Sequence, residues 1–483
     1  MKYNALLVAL LLSACTVGPD YEPPQVNLTD SWFSTDDKAI SQQAVQLDWW
    51  NNFGDPLLEK YIVAAAAHNK DVVIASANVL RARALRRQAG TAFLPEIGTT
   101  GEGRRFKSGP NAVGSGEVRN LYDAGFDASW EIDIFGGTRR AYEAAGARAE
   151  GAEASYHDVL LATLSEVARN YYEARGLQKR IAITEQSASL QEQTFTAINA
   201  RLEVGEANEF DTSRARSEYQ LTQARVPGLK AELQATIYSL SVLLGLPPEA
   251  LLDEMRAVQP LPTPPDMVPV GLRSDLLRRR PDIRAAEREL AASNADIGVE
   301  VSELFPKFFI TGSGGFQSRS FGDVFKRASG VWSLATLIDW PIFQAATIQA
   351  RIDAADADKQ AALANYEKSV LEALKDAETA LVRYGRELET RGRLEEGVQS
   401  HRISVQLAKE LFDEGEADYL AVLDAQRELA NNEDSLVISE TQSITKLIAL
   451  YAALGGGWEV FGQTQQENTE TDHGHQNQSN DGQ

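Results

Sequence analysis

Thiols and imidazoles are scarce in this chain: its 483 residues include one Cys and five His. A single Cys excludes intramolecular disulfides and every zinc site built on two thiolates. His68, His157 and His401 are scattered through helical stretches with no Ser, Cys or Asp at motif spacing, so no nucleophile and base pair suggests catalysis. No Gly-rich phosphate loop follows a strand, so nucleotide hydrolysis by this chain is not suggested either. Long hydrophobic runs are missing too. Beyond the first residues nothing offers about 18 uninterrupted apolar residues, so no transmembrane helix is expected. Positive charge is in deficit, with 47 Lys+Arg against 69 Asp+Glu and a net charge of −22. That argues against nucleic acid as a partner, because affinity there comes largely from cations that displace counterions. What is present, 43% apolar and 24% charged residues, is the composition of a folded protein with room for several ordinary domains or one elongated one.

The lone Cys has an informative position. Lys2 supplies a positive start, residues 5–12 form an apolar stretch too short to span a bilayer, and Leu12-Ser13-Ala14 places small residues before Cys15. This resembles a bacterial lipobox, with cleavage before Cys15 and lipid on its sulfur and new amino terminus. Several acyl chains hold a membrane where one binds only marginally. Thr16 is not the Asp that favours inner-membrane retention in that class, so an outer-membrane destination is expected.

A bilayer can also be crossed by a closed β-barrel, whose strands alternate apolar and polar residues. Tyr122, Ala124, Phe126, Ala128, Trp130 and Ile132 alternate with Asp123, Gly125, Asp127, Ser129, Glu131 and Asp133. One face is therefore apolar and the other acidic. Trp332, Leu334, Thr336, Ile338 and Trp340 repeat the pattern, Phe308, Ile310, Gly312, Gly314 and Phe316 suggest a third strand, and residues 97–105 a weaker fourth. Gly- and Ser-containing stretches at 106–119 and 317–330 separate the strands of each pair.

The chain also reads as two copies of one unit. Asp71, Ala75 and Leu94-Pro95 precede Asp282, Ala286 and Phe305-Pro306 by 211 residues, while Gly205-Glu206-Ala207 and Leu244-Gly245 precede Gly415-Glu416-Ala417 and Leu454-Gly455 by 210. Within each copy the expected order is helix, strand, turn, strand, very long helix, tight Gly turn, helix. No Pro occurs from Gly137 to Glu203 or across 344–411, and a continuous helix of either stretch would reach roughly 100 Å at 1.5 Å per residue. Pro227 and Pro247-Pro248 are expected to interrupt the return path of the first copy. The arginines of Arg273-Ser274-Asp275-Leu276-Leu277-Arg278-Arg279-Arg280-Pro281-Asp282-Ile283 open a helix, and a helix-entry and packing role is expected for them.

At this point the sequence resembles the TolC-like outer-membrane factors, in their NodT-type lipoprotein branch serving tripartite efflux pumps. The carrying motifs are Cys15-Thr16-Val17-Gly18-Pro19-Asp20-Tyr21, Trp49-Trp50 with Phe53-Gly54-Asp55-Pro56-Leu57, Asn69-Lys70-Asp71, and Ser274 to Arg288. The resemblance implies a mainly α fold with a membrane β-barrel portion: a trimeric twelve-stranded barrel on a long periplasmic helical barrel, built from two tandem repeats per chain. The expected division is a signal peptide at 1–14, a lipid-anchored segment at 15–55, repeats at 56–245 and 271–457, a Pro-rich linker at 246–270, and a polar tail at 458–483. Implied partners are a homotrimer, a periplasmic adaptor, an inner-membrane efflux transporter and the outer membrane, with no cofactor beyond covalent lipid on Cys15.

The resemblance further implies adaptor contact at Val204-Gly205-Glu206-Ala207 and Glu414-Gly415-Glu416-Ala417, where Glu414 departs from the family's Val. It also implies a periplasmic gate at Leu420, Asp424 and Arg427, with Asp424 in a three-carboxylate ring. The expected function is that of a passive exit duct rather than an enzyme. A type I protein-secretion duct and a non-channel periplasmic coiled-coil lipoprotein remain as alternatives; the second would lack the four strands. A lipoprotein hydrolase would need a nucleophile and base. The acidic strand face and Asp424 would line a water-filled path and favour cations.

Overall fold

The computed structural model describes residues 16–26, 29, 31–33, 40, 41, 43–109, 111, 116–265 and 267–461. The expected signal peptide, Cys15 and the tail beyond Phe461 lie outside the described residues. In chain order the main elements are α1 (Pro56–His68), α2 (Lys70–Thr91), β1 (Glu96–Lys107), β2 (Val118–Ile132), α3 (Gly137–Glu203), α4 (Glu209–Leu243), α5 (Pro281–Ser302), β3 (Lys307–Ser318), β4 (Gly330–Asp339), α6 (Ala345–Asp413) and α7 (Tyr419–Ala453). The four expected strands and both very long helices are present. Among the described residues no helix is long and apolar enough to cross a membrane.

The chain divides into two compact units that cut across the sequence repeats. One comprises Met1–Gln25, Ala77–Glu153 and Ala285–Lys368; the other comprises Val26–Ser76, Ala154–Arg284 and Ser369–Gln483. Each repeat contributes to both units, so neither repeat is a domain in the packing sense.

The first unit holds the sheet, antiparallel throughout in the order β1-β2-β3-β4. Each repeat supplies one hairpin. At the foot of each hairpin the duplication is visible in a hydrogen bond: Trp130 Nε1 donates to Phe93 O, and Trp340 Nε1 to Leu304 O, both at 3.1 Å. The carbonyl taken in each case belongs to the residue before Leu94-Pro95 or Phe305-Pro306, where proline ends the helical path and leaves an acceptor free. The N-terminal segment is pinned beside this foot. Val17 N donates to Phe135 O at 3.0 Å, and buried Arg140 donates to Val17 O at 3.2 Å and to Asp20 Oδ1 at 2.7 Å.

The second unit is helical around an aromatic core. Trp49 stacks on Tyr451 with ring centroids 5.6 Å apart, and its Nε1 donates to Gly456 O at 3.1 Å. The motif around it is structural at every position. Residues Trp49–Phe53 form a 3-10 turn, Gly54 ends it at φ 62°, and the Asp55 carboxylate caps α1 from Leu57 N while accepting the Tyr171 hydroxyl at 2.5 Å. Close approach of α3 and α7 explains Gly176, where a Cβ would lie 2.2 Å from Thr441 Oγ1. The arginine-rich entry is a packing device: Arg280 holds both Asp282 carboxylate oxygens, at 3.0 and 2.7 Å, and the terminal Ala453 carbonyl of α7 at 3.2 Å.

Three boundaries differ from the sequence-based expectation. Pro227 lies inside α4 without ending it. It is exposed and followed by exposed Gly228, so the carbonyl that loses its partner can turn to solvent while Thr222 and Val226 stay packed. Segment 246–270 is no simple strap, because it forms 3-10 turns at Pro248–Leu251 and Glu254–Arg256, buries Met255, and pairs Val268–Pro269 in parallel with Ile40–Ser41. The packed chain also continues past Gly457, as Trp458 stacks on His157 and Phe461 on Trp50.

Asn69 separates α1 from α2 and is almost fully buried. Its Oδ1 caps α2 by accepting from Asp71 N and Val72 N, at 2.8 and 3.2 Å, while its Nδ2 donates to Leu243 O at 2.8 Å. Asn69→Ala is expected to lower stability by about 2 kcal/mol, the sum of a lost cap and an orphaned carbonyl. Asn69→Asp, which keeps the acceptor alone, should recover part of the loss in thermal unfolding of the detergent-solubilised protein.

Candidate channel wall and helix-tip sites

In the sheet, register decides which side chains share a face. Phe126 is paired with Thr99 and Gly314, Gly314 with Trp332, and Trp130 with Ile310, which faces Thr336. The row Ile97, Ala128, Gly312 and Leu334 lies between them. All the apolar positions expected from the sequence thus fall on one face, and Trp332 there is 82% exposed. A soluble fold does not leave such a face to water.

The opposite face is polar in its middle rows. Asp127 is flanked by Gly98 and Ser313, and Ser313 by Ser333, with the two hydroxyls 2.8 Å apart. Thr100 Oγ1 donates to Asp127 Oδ2 at 2.8 Å, and Gln317 Nε2 to Asp123 Oδ1 at 2.6 Å. Phe309 and Leu337 interrupt this polarity beside Glu131, close to the helix end of the sheet. Aromatic rings mark both ends of the apolar face: Trp130 and Trp340 at the foot, Tyr122 with Phe321 and Phe316 with Phe325 at the loop end. Trp130 and Tyr122 are separated by about 26 Å along the strand at ~3.3 Å per residue, close to the ~25 Å apolar band of an outer-membrane barrel.

In the helical unit the two tips are built alike. At the first, Gly205 takes φ 81°, Gly205 N donates to Leu202 O and Glu206 N to Arg201 O; at the second, Gly415 takes φ 78°, with Gly415 N on Phe412 O and Glu416 N on Leu411 O. These are Schellman closures, and the left-handed φ rather than space requires glycine, since a Cβ at either position would meet nothing within 4 Å. Asn208 and Asp418 then cap the returning helices. Val204, Glu206, Glu414 and Glu416 are exposed, while Ala207 and Ala417 are half-buried.

Just past the second tip, Tyr419, Val422 and Leu423 bury themselves with Ile198 and Ala215. Burial, reinforced by the nearby Asp211 carboxylate, holds the Tyr419 phenol well above its ordinary range. Leu420 is half-buried, and Asp424 stands out from this cluster, half exposed, with Arg427 Nη2 at 3.4 Å and Arg214 Nη2 at 3.5 Å from Oδ1. Arg214 was missed in the sequence. It stands 210 residues before Asp424, at the duplicate of that position, so the repeat offset was the signal that could have found it. By the same offset, exposed Phe210 is the counterpart of Leu420. Among the described residues no group of His, Cys, Asp and Glu is arranged to hold a metal ion.

The model of the outer membrane efflux protein family matches residues 61–246 and 272–456, once per repeat. The chain belongs to that family. Among its relatives, the solvent efflux pump outer membrane protein SrpC of Pseudomonas putida is 30% identical over 476 residues, covering 95% of this chain and 99% of that protein. Nodulation protein T of Rhizobium leguminosarum bv. viciae is 28% identical, with coverage of 95% and 94%. Among solved structures, the outer-membrane channel OprN superposes with a TM-score of 0.88 at 33% identity, covering 92% of this chain and all of that one. CusC gives 0.79 at 26% identity. This member of the outer membrane efflux family is therefore an outer-membrane channel of the efflux-pump type, with a periplasmic extension, and the family is one of channels rather than enzymes.

The efflux channel's sheet depends on one close strand contact. A Cβ at Gly315 would lie 2.5 Å from both Ala124 O and Gly125 Cα on β2. Gly315→Ala is expected to push β2 and β3 apart and cost about 1–3 kcal/mol, read as a lower temperature for loss of β-signal in circular dichroism. Gly98→Ala, where a Cβ meets nothing, should leave it unchanged.

Proposed function

We propose that this chain is one third of a trimeric, lipid-anchored exit duct, passing small molecules delivered by an inner-membrane efflux transporter and a periplasmic adaptor. The observation that supports it best is the four-stranded sheet with one apolar face and two edges, β1 and β4, that no strand pairs among the described residues. Four strands are too few to close, and an open edge has no place in hydrocarbon, so copies of the chain must supply the missing pairing. Three such sheets give the twelve strands of one barrel. Cys15 would carry the lipid; Thr16, directly after it, stands beside Gly136 at the foot of the sheet, where an acyl anchor would meet the membrane boundary.

The tips Val204-Gly205-Glu206-Ala207 and Glu414-Gly415-Glu416-Ala417 are the surfaces for the adaptor. Exposed Val204 gives the first an apolar contact that Glu414 denies the second, so the two grooves engage unequally. Three copies of Asp424 would converge as a carboxylate ring behind Leu420. Arg214 and Arg427 share its charge within the chain, which lowers the repulsion that would hold such a ring open. The solvent and toluene efflux relatives support apolar small molecules as the substrate class.

Asp123 and Asp127 on the polar face of the sheet, and Asp424 past the second tip, each favour cations. In planar bilayers with a salt gradient, the reversal potential is expected on the cation side, and Asp123→Asn with Asp127→Asn should move it toward zero. Anion selectivity, or a monomer without conductance, would sink the proposal. Arg214→Ala with Arg427→Ala should raise the open fraction severalfold, because Asp424 then stands uncompensated; an unchanged fraction would remove these residues from the gate.

A further inference from the structure

Charge is segregated along the sheet. The whole chain carries −22, yet over 102–119 and 317–330, the loop end away from the helices, seven Lys and Arg stand against three acids. Those acids are already engaged. Glu102 pairs with Arg104 at 3.7 Å, Glu117 with Arg119 at 3.9 Å, and Asp323 with Lys326. Arg105, Lys107 and Arg327 are exposed and have no ion-pair partner among the described residues.

Register fixes the face of the two cations that lie on β1. Gly103 pairs with Tyr122, Arg105 with Asn120 and Lys107 with Val118, so Arg105 and Lys107 lie on the apolar face, two and four positions beyond the Tyr122 ring. Arg327 follows Phe325, which packs on Phe316 of the same face and is 75% exposed. Among the described strand residues no carboxylate shares that face beyond Tyr122, and Asp323 of the neighbouring loop is paired with Lys326. A cation just outside an aromatic girdle sits at headgroup depth, its apolar stem against the chains and its charge in the polar layer. Arginine binds phosphate through two parallel N–H bonds, and each such cation near an anionic surface adds attraction.

We propose that Arg105, Lys107 and Arg327 form a belt that binds phosphorylated lipid headgroups of the outer leaflet and fixes the depth of the sheet. The belt rests on the sheet's placement in the outer membrane but not on the gate or the adaptor. It is also distinct from the acidic face that lines the path, since the two charges occupy opposite faces.

The test uses the full lipidated protein in non-ionic detergent, with bisphosphorylated lipid A and its dephosphorylated form as probes and bound lipid counted by native mass spectrometry. The wild type is expected to retain the bisphosphorylated lipid about tenfold or more above the Arg105→Gln/Lys107→Gln/Arg327→Gln variant. The dephosphorylated lipid should bind both equally weakly, and millimolar inorganic phosphate should not displace the bound lipid. Equal retention by wild type and variant, or retention independent of lipid phosphate, overturns the proposal. Displacement by inorganic phosphate overturns it in favour of a soluble-anion site. If the triple variant fails to assemble, Arg327→Gln, which changes only a loop, gives the same reading with a smaller loss. Conductance of the same preparations separates the outcomes: a conducting protein without lipid discrimination defeats the belt and leaves the duct standing.

Discussion

In hydrocarbon no water replaces a missing hydrogen-bond partner, so every backbone N–H and C=O of a membrane strand must be paired. Among the described residues this sheet has four strands, and the outer edges of β1 and β4 have no neighbour. Much else in the sheet unit follows from managing that constraint. The alternation of apolar and polar residues has to hold on every strand at once, and the register aligns the rows so that it does. Glycines at 125 and 315 let β2 and β3 approach where side chains would force them apart. The duplicated tryptophan bonds to Phe93 and Leu304 carbonyls close the points where helix gives way to strand.

The helical unit answers a different problem, that of stopping and restarting long helices without leaving orphaned backbone groups. Schellman glycines at 205 and 415 end α3 and α6, and Asn208 and Asp418 start the returning helices. At the other end, Asp55 and Asn69 both cap a helix and bond to a distant one, to Tyr171 and Leu243. Residues that read as family motifs are thus mostly devices for starting and ending helices. Past the second tip the charged groups stay half exposed, and Asp424 is paired within the chain with Arg214 and Arg427.

Much of this was legible because periodicity and duplication are local, additive signals. Strand alternation from Tyr122 to Ile132 and the Pro-free runs of α3 and α6 needed no tertiary information. The repeat offset marks Arg214 as the counterpart of Asp424, but only the packing of α4 against α7 shows that the two also touch, at 3.5 Å. Pro227 misled for the opposite reason. Its local rule is sound, but exposure of that turn lets solvent take the freed carbonyl.

The sequence by itself determined the two repeats, the four strands and their faces, the long helices and their glycine tips, because each rests on the geometry of a few neighbouring residues. Only the tertiary structure decided that the compact units cut across the repeats, that Trp458 and Phe461 stack on His157 and Trp50, and which cations without an ion-pair partner among the described residues stand at the rim of the sheet. Those depend on register and on contacts between residues hundreds of positions apart, for which no local pattern in the chain carries a signal.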